Sequence, residues 1–184
     1  HKQDLMVDFA NKSVGGGVLK NGVYKGDFVH NPPLTPHQWA PYEQLEDSEC
    51  GLVHGCGQYA NYSGYSYTFK FTGKHTEKKE LDSFEKLSRT FVVIDAMDYS
   101  SGIYKSVPEA QYTEREISRE INKAYVGFSN TDYIDESEKK KSIATGRWGC
   151  GAFAGDPQLK MVIQWLACSL ADRNMIFVNW NEQK

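Results

Sequence analysis

The chain has 184 residues, of which 40% are apolar, and a formal net charge of -3. This length is typical of one domain with a core of its own. The charge excludes a general basic field, so the composition does not favour direct DNA binding. No apolar run approaches the roughly 20 residues that span a bilayer, so no membrane segment is expected.

The four cysteines, Cys50, Cys56, Cys150 and Cys168, follow no paired metal-binding pattern. Since no secretory leader precedes them, we expect a reducing, intracellular location in the nucleus or the cytoplasm. Cys50 and Cys56 lie near His54, but the fourth ligand of a zinc site is missing. The sequence therefore predicts no metal site and no cofactor.

The first predicted element is a strand at residues 5–9, which leads to Asn11 and then to Gly15, Gly16 and Gly17. A strand that begins almost at residue 1 is unusual for an α/β domain. We therefore expect the domain to be truncated at its N-terminus.

The next part of the chain alternates irregular and apolar stretches. Residues 20–46 are rich in Gly, Pro and Asn, which indicates a surface connection. A second strand is predicted at 49–54, a third where aromatic residues recur with period two at 65–71, and a fourth at 91–97.

A helix is predicted after Thr113, because Thr113 and Glu116 have the spacing of a capping box. Its apolar residues recur at helical spacing and predict a buried face made of Ile117, Ile121, Ala124, Tyr125 and Phe128.

The last third predicts a strand at 142–145, a glycine-rich loop, a helix and a strand at 175–180. Asp156 is expected to cap the helix, with Pro157 in its first turn. The residues predicted to line its buried face are Leu159, Val162, Ile163, Leu166 and Leu170.

Four glycines fall within residues 145–156, TGRWGCGAFAGD, between the predicted strand and helix. Glycines allow a loop to turn successive N–H groups toward one point, and the positive end of the following helix lies at the same place. The stretch therefore predicts a site for an anion such as a diphosphate. Neither a Walker loop nor a dinucleotide fingerprint is present.

Six motifs occur in order over nearly the whole chain: VDFANKSVGGGV at 7–18, NPPL at 31–34, QYANYSGY at 58–65, VVIDAM at 92–97, INKAYVGF at 121–128 and TGRWGCGAFAGD at 145–156. Together they resemble the catalytic macrodomain of the poly(ADP-ribose) glycohydrolase (PARG) family. The resemblance implies one domain over residues 1–184, without an accessory helical domain, folded as a three-layer α/β/α sandwich with a mixed sheet.

The resemblance also implies the ligand, ADP-ribose or the end of poly(ADP-ribose), and the residues that hold it. Asn11 matches the asparagine that addresses the distal ribose, and Tyr65 matches a tyrosine that closes over the ligand. Gly15, Gly16 and Gly17 match the glycines of the catalytic loop. The diphosphate loop corresponds to Gly149, Cys150, Gly151, Ala152, Phe153, Ala154 and Gly155, with Phe153 against the ribose.

The sequence departs from the family pattern where the family has its catalytic acids. There the triple glycine leads to Gln-Glu-Glu, and glycoside cleavage needs a carboxyl group to protonate the leaving oxygen. Here no Glu lies between Gly15 and Pro36, and Asp27 is the one acid in that stretch. Arg147 stands where the family usually has a small amide residue, and it could contact the phosphates or block the pocket.

Three functions remain open at this point. The first is a pseudoenzyme that binds ADP-ribose and acts as a reader or scaffold, with protein partners in a larger assembly. The second is an active hydrolase in which Asp27, Glu43 or Glu46 supplies the missing carboxylate. The third is an interaction protein whose pocket is filled by Arg147.

Overall fold

In a computed structural model of the chain, the structure describes residues 5–13, 44–55, 60–63, 70–76, 90–129 and 141–179. The strands and helices in these ranges are β1 (Leu5–Ala10), β2 (Gly51–His54), β3 (Ala60–Ser63), β4 (Lys70–Lys74), β5 (Thr90–Asp95), α1 (Glu114–Ser129), β6 (Ile143–Thr145), α2 (Pro157–Leu170) and β7 (Met175–Phe177). Two short 3-10 helices, Gly102–Ser106 and Pro108–Tyr112, connect β5 to α1. Both predicted helices and the other predicted strands are confirmed, but most of the strand predicted at 65–71 lies outside the described residues, where β4 begins only at Lys70. Strand β3 was not predicted.

Five of these strands form one mixed sheet in the order β2-β5-β1-β6-β7. Strand β1 is parallel to both β5 and β6, and β6 is parallel to β7. The edge strand β2 runs antiparallel to β5. Strands β3 and β4 form a separate antiparallel hairpin. This arrangement confirms the predicted α/β class with a mixed sheet.

The main core lies between the sheet and the two helices, which pack against each other on one face. Strand β5 contributes Val92 and Ile94 to it, and both are fully buried. A Cβ atom at Gly127 of α1 would lie 2.8 Å from each of these two side chains. The absence of a side chain at Gly127 therefore lets α1 approach the sheet closely.

The opposite face of the sheet carries a smaller cluster, made of Ala10, Leu45 and Val93 with Val53 beside them. Leu45 comes from the segment before β2 and covers the central strands. The described residues thus show two layers, the sheet and one layer of helices, and do not test the third layer of the predicted sandwich.

The buried face predicted for α2 is wrong in part. Ile163 is buried as predicted, but Val162, Leu166 and Leu170 are 43%, 37% and 65% exposed. The residues that the helix buries are Lys160, Ile163, Gln164, Ala167 and Cys168. This stripe has regular helical spacing, and its two polar members are buried because they have polar partners, which apolar periodicity does not detect.

The capping box predicted at the start of α1 is only half formed. The Glu116 backbone N–H lies 3.5 Å from Thr113 Oγ1, as the motif requires. The Glu116 side chain instead accepts a 2.9 Å hydrogen bond from the Tyr104 hydroxyl. Tyr125, predicted for the buried face of α1, is 38% exposed.

No helix within the described ranges is long and apolar enough to cross a membrane. Cys150 and Cys168 are free thiols.

Candidate ligand-binding site

The candidate site lies at the carboxyl edge of the sheet, where β1 and β6 are adjacent and parallel. The chain after β1 returns to the sheet on the β5 side, whereas the chain after β6 returns as β7 on the other side. Such a reversal of strand order opens a crevice at the strand ends, where α/β proteins bind ligands. Asn11 follows β1, and residues 146–155, named here the glycine loop, follow β6.

Backbone hydrogen bonds join residues within the glycine loop. The N–H of Gly155 donates to the carbonyl of Gly149 at 3.0 Å, and the N–H of Ala154 donates to the carbonyl of Gly151 at 3.1 Å. Gly149 and Ala154 both have positive φ angles, 72° and 55°. These bonds bring the two ends of the loop together and leave its middle on the outside.

Six amides of the loop have no acceptor within the described part of the chain. Three of them are consecutive at Gly151, Ala152 and Phe153, and the others belong to Gly146, Arg147 and Gly149. Consecutive amides in a turn form a concave site for an anion. The geometry therefore supports the anion site that the glycine spacing predicts.

The glycines of the loop differ in whether the surrounding atoms leave space for a side chain. A Cβ atom at Gly149 would lie 2.6 Å from the Cβ of Ala96, and one at Gly155 would lie 2.9 Å from the Gly149 carbonyl oxygen. At Gly151 a Cβ atom would meet nothing within 4 Å. Packing thus requires the first two glycines, whereas the space in front of Gly151 is open.

The loop is anchored to its surroundings at three points. Trp148 is fully buried, and its indole N–H donates to the Ile94 carbonyl at 3.3 Å. The Tyr99 N–H donates to the Phe153 carbonyl at 2.8 Å. The Asp156 N–H donates to the Gln111 side chain at 2.8 Å. The open amides are therefore held on a fixed support.

Helix α2 begins directly after the loop. Asp156 caps it as predicted, because Asp156 Oδ1 accepts a 2.7 Å hydrogen bond from the Leu159 N–H, and Pro157 occupies the first turn. Gln164 of the same helix donates to the Gly146 carbonyl at 3.0 Å and accepts from the Thr145 hydroxyl. The middle of α2 and the start of the loop are therefore fixed to each other.

An ion-pair network lies beneath the loop and joins β5 to both helices. Arg119 Nη2 lies 2.7 Å from Asp95 Oδ2, and Lys123 Nζ lies 2.6 Å from Asp95 Oδ1. Glu120 accepts from Arg119 at 2.6 Å and is in contact with the Lys160 ammonium group. Its members are Asp95, Arg119, Glu120, Lys123 and Lys160, with side chains at most 10% exposed.

Lys160 is the member of this network nearest to the glycine loop. Its Nζ lies 3.3 Å from the position of a Cβ atom at Gly149 and 4.2 Å from the centre of the Trp148 ring. Burial lowers the pKa of Lys160 from 10.5 to about 7, with Arg119 acting in the same direction and Asp95 against it. An ammonium group therefore lies under the loop at a cost in desolvation.

The predicted site residues Arg147 and Cys150 lie at the start of the loop. The Arg147 Nε donates to Asn179 Oδ1 at 2.9 Å, just beyond β7. Burial raises the pKa of the Cys150 thiol to about 12, with Asp156 adding to the rise and Arg147 opposing it. Cys150 therefore stays protonated near neutral pH and is a poor nucleophile.

Asn11 lies at the end of β1, where the resemblance expects a contact to ribose. Its Oδ1 accepts a 2.9 Å hydrogen bond from the Ser13 N–H, which fixes the side chain in a local turn. Glu46, weighed as a substitute acid, is exposed, and its backbone carbonyl accepts from Lys123 at 2.5 Å. Gly15, Gly16, Gly17, Asp27, Glu43 and Tyr65 lie outside the described residues.

Sequence reasoning missed the ion-pair network, although one signal was present. Glu116, Glu120 and Lys123 recur at spacings of four and three, so they share one face of α1 with the apolar Ala124. Charged residues within a buried stripe indicate that they pair with one another or with a neighbouring element.

A mixed sheet with a glycine-rich loop between a parallel strand and a capped helix places the chain in the α/β class. The chain belongs to the poly(ADP-ribose) glycohydrolase family, because that family's model, described as "Poly (ADP-ribose) glycohydrolase (PARG), Macro domain fold", matches residues 1–184. The predicted resemblance and fold class are thereby confirmed.

Individual relatives agree with the family assignment. The chain is 32% identical to the probable poly(ADP-ribose) glycohydrolase 2 of Arabidopsis thaliana, over 92% of the chain and 38% of the relative. It is 33% identical to the poly(ADP-ribose) glycohydrolase 2 of Caenorhabditis elegans, over 96% of the chain and 37% of the relative. The chain thus spans less than two fifths of the length of these relatives.

Proposed function

We propose that this macrodomain binds ADP-ribose, free or at the end of poly(ADP-ribose), without cleaving it, and acts as an intracellular reader or scaffold. The ligand is supported by the family, since the relatives in Arabidopsis thaliana and Caenorhabditis elegans are named as poly(ADP-ribose) glycohydrolases. The loss of cleavage is supported by the absence of Glu between Gly15 and Pro36.

The observation that carries the binding half of this proposal is the run of open amides from Gly151 to Phe153. Backbone N–H groups are the donors that recur in diphosphate sites. Helix α2 begins directly after these amides, so the positive end of its dipole adds to their potential. The open space in front of Gly151 is where a phosphate oxygen would approach these donors.

Replacing Gly151 with valine tests this position. The new side chain would project into the open space, so we expect the affinity for ADP-ribose to fall at least about tenfold, which corresponds to roughly 1.4 kcal/mol. The fold should be retained, because a Cβ atom at Gly151 meets no atom of the described residues within 4 Å. Isothermal titration calorimetry measures the first effect and thermal unfolding the second.

The matched control is Thr72→Val, which places a valine at an exposed position of the separate β3–β4 hairpin. This variant should bind ADP-ribose as the unchanged protein does. If Gly151→Val binds as tightly as Thr72→Val, the ligand does not approach the amides of residues 151–153, and the proposed diphosphate position is wrong.

An active hydrolase is the second candidate, favoured by the names of the relatives. Release of ADP-ribose from purified polymer separates the two functions, and we expect none even at high protein concentration, because the loss of a catalytic acid commonly costs several orders of magnitude in rate. Release that disappears in Asp27→Asn would make Asp27 the replacement acid and overturn the reader proposal. Release that persists in Asp27→Asn would assign the role to another carboxylate, such as Glu43 or Glu46.

A further inference from the structure

Lys160 has an unusual position for a lysine. It lies in the first turn of α2, is 1% exposed, and extends beneath the glycine loop. The glycines above it leave little space, because a Cβ atom at Gly155 would lie 3.1 Å from Lys160 Cε and one at Gly149 would lie 3.3 Å from Nζ. The lysine side chain is therefore part of the surface on which both ends of the loop rest.

The ammonium group of Lys160 is held from below and from the side. Glu120 of α1 contacts it directly, and the same carboxylate accepts a 3.1 Å hydrogen bond from the Met97 N–H after β5. The Trp148 ring centre lies 4.2 Å from Nζ and the Tyr99 ring centre 5.9 Å away. One polar contact and two aromatic faces thus fix the charge at a single place.

Lys123 belongs to the same network but serves a different part of the molecule. It is also fully buried, and its ammonium group pairs with Asp95 at 2.6 Å and donates to the Glu46 carbonyl at 2.5 Å. Lys123 therefore ties α1 to the segment before β2. The two lysines have equal burial and comparable ion pairs, and Lys160 is the one of the two that lies against the glycine loop.

We propose that Lys160 is a positioning residue of the ligand site: its buried ammonium group, held by Glu120, supports the glycine loop from beneath and supplies positive charge to the diphosphate that the loop binds. This inference rests on the proposed function, since it names the part of the protein that charges the same site. The loop amides would contact the ligand, and Lys160 would act through them.

The charge of Lys160 should change when the ligand binds. Among the described residues, the charged and titratable groups that act on its ammonium group are Arg119 and Glu120 of α1, Asp95 of β5 and Tyr99 in the segment after β5. Burial brings the pKa of Lys160 down to about 7, so part of the population is neutral at neutral pH. A bound diphosphate favours the ammonium form and would raise this pKa.

The sign of the pH dependence follows from this linkage. A group whose pKa is higher in the complex than in the free protein takes up a proton on binding, so the affinity is greatest below the free pKa. We therefore expect the affinity for ADP-ribose to fall as the pH rises from about 6 to 8.5. The diphosphate itself keeps its charge over this range and cannot produce the effect.

Calorimetric titration of ADP-ribose into the unchanged protein, Lys160→Met and Lys123→Met at pH 6 and pH 8.5 tests the proposal. We expect Lys160→Met to bind at least about tenfold more weakly than the unchanged protein at pH 6, and to show little pH dependence. Lys123→Met should retain the pH dependence, because Lys123 contacts Asp95 and the Glu46 carbonyl and does not lie against the glycine loop. In both variants methionine keeps an unbranched side chain as far as the ε position and removes the ammonium group.

Two outcomes would overturn this inference and leave the proposed function standing. The first is an equal loss of ADP-ribose affinity in both variants, and the second is a pH dependence that survives in Lys160→Met. If Lys160→Met does not fold, titrations of the unchanged protein in two buffers of different ionisation enthalpy replace it. Proton uptake near pH 7 then supports the inference, and binding without proton uptake overturns it. If the unchanged protein does not bind ADP-ribose at millimolar concentration, the proposed function itself fails, and the inference falls with it.

Discussion

Replacing Glu120 with glutamine should lower the free energy of unfolding by about 3–5 kcal/mol, because removing one partner of a buried ion pair leaves an uncompensated charge. Glu120 is 1% exposed and contacts two cations, Arg119 at 2.6 Å and the Lys160 ammonium group. It also accepts the Met97 N–H. Denaturant unfolding followed by circular dichroism measures the loss.

Glu109→Gln is the matched control, since Glu109 is exposed and should change the stability by less than about 0.5 kcal/mol. A second comparison is the double variant Glu120→Gln with Lys160→Met, in which both charges of the pair are removed. Because the lysine no longer needs a partner, this variant should recover part of the loss. A Glu120→Gln variant as stable as Glu109→Gln would contradict the role given to the ion-pair network.

Replacing Gly149 with alanine should destabilise the protein by roughly 2–4 kcal/mol and abolish measurable binding of ADP-ribose. The φ angle of 72° strains any residue with a side chain, and the new Cβ atom would lie 2.6 Å from the Cβ of Ala96. The strain can be relieved only by a shift of the loop that carries the open amides. Thermal unfolding and calorimetry on the same preparation measure both effects.

Gly151→Ala is the control for this substitution, because the two glycines belong to one loop and only Gly149 is enclosed. Alanine at Gly151 meets open space and should leave the free energy of unfolding within about 0.5 kcal/mol of its original value. Equal stability of the two alanine variants would mean that the close packing around Gly149 does not contribute to the fold.

Both helices and the strands of the five-stranded sheet could be predicted from the sequence because each has a local signal, whereas β3 was not predicted. The apolar run around Val93 predicted the fully buried strand β5, and Asp156 with Pro157 predicted the start of α2. The glycines at 149 and 155 predicted a tight loop at the correct place. These signals depend on neighbours in sequence, so they do not require knowledge of what packs above or below.

The composition of the buried faces could not be predicted in the same way. Lys160 and Gln164 are buried because Glu120, Thr145 and Gly146 provide partners for them, and these partners are distant in sequence. A pattern of apolar residues assigns such positions to the surface. It therefore rotated the predicted face of α2 toward Val162 and Leu166, and it missed the lysine beneath the predicted anion loop.

The central position of β1 has a consequence for the way the chain must fold. Met6 pairs with Phe91 on one side and with Ala144 on the other, so the strand at the centre of the sheet is completed by two segments far along the chain. Long-range parallel pairing requires large loops to close before its contacts are gained, which slows folding. During synthesis, β1 must therefore wait for β5 and then β6 to emerge, and the crevice between β1 and β6 forms only when the last third of the chain is present.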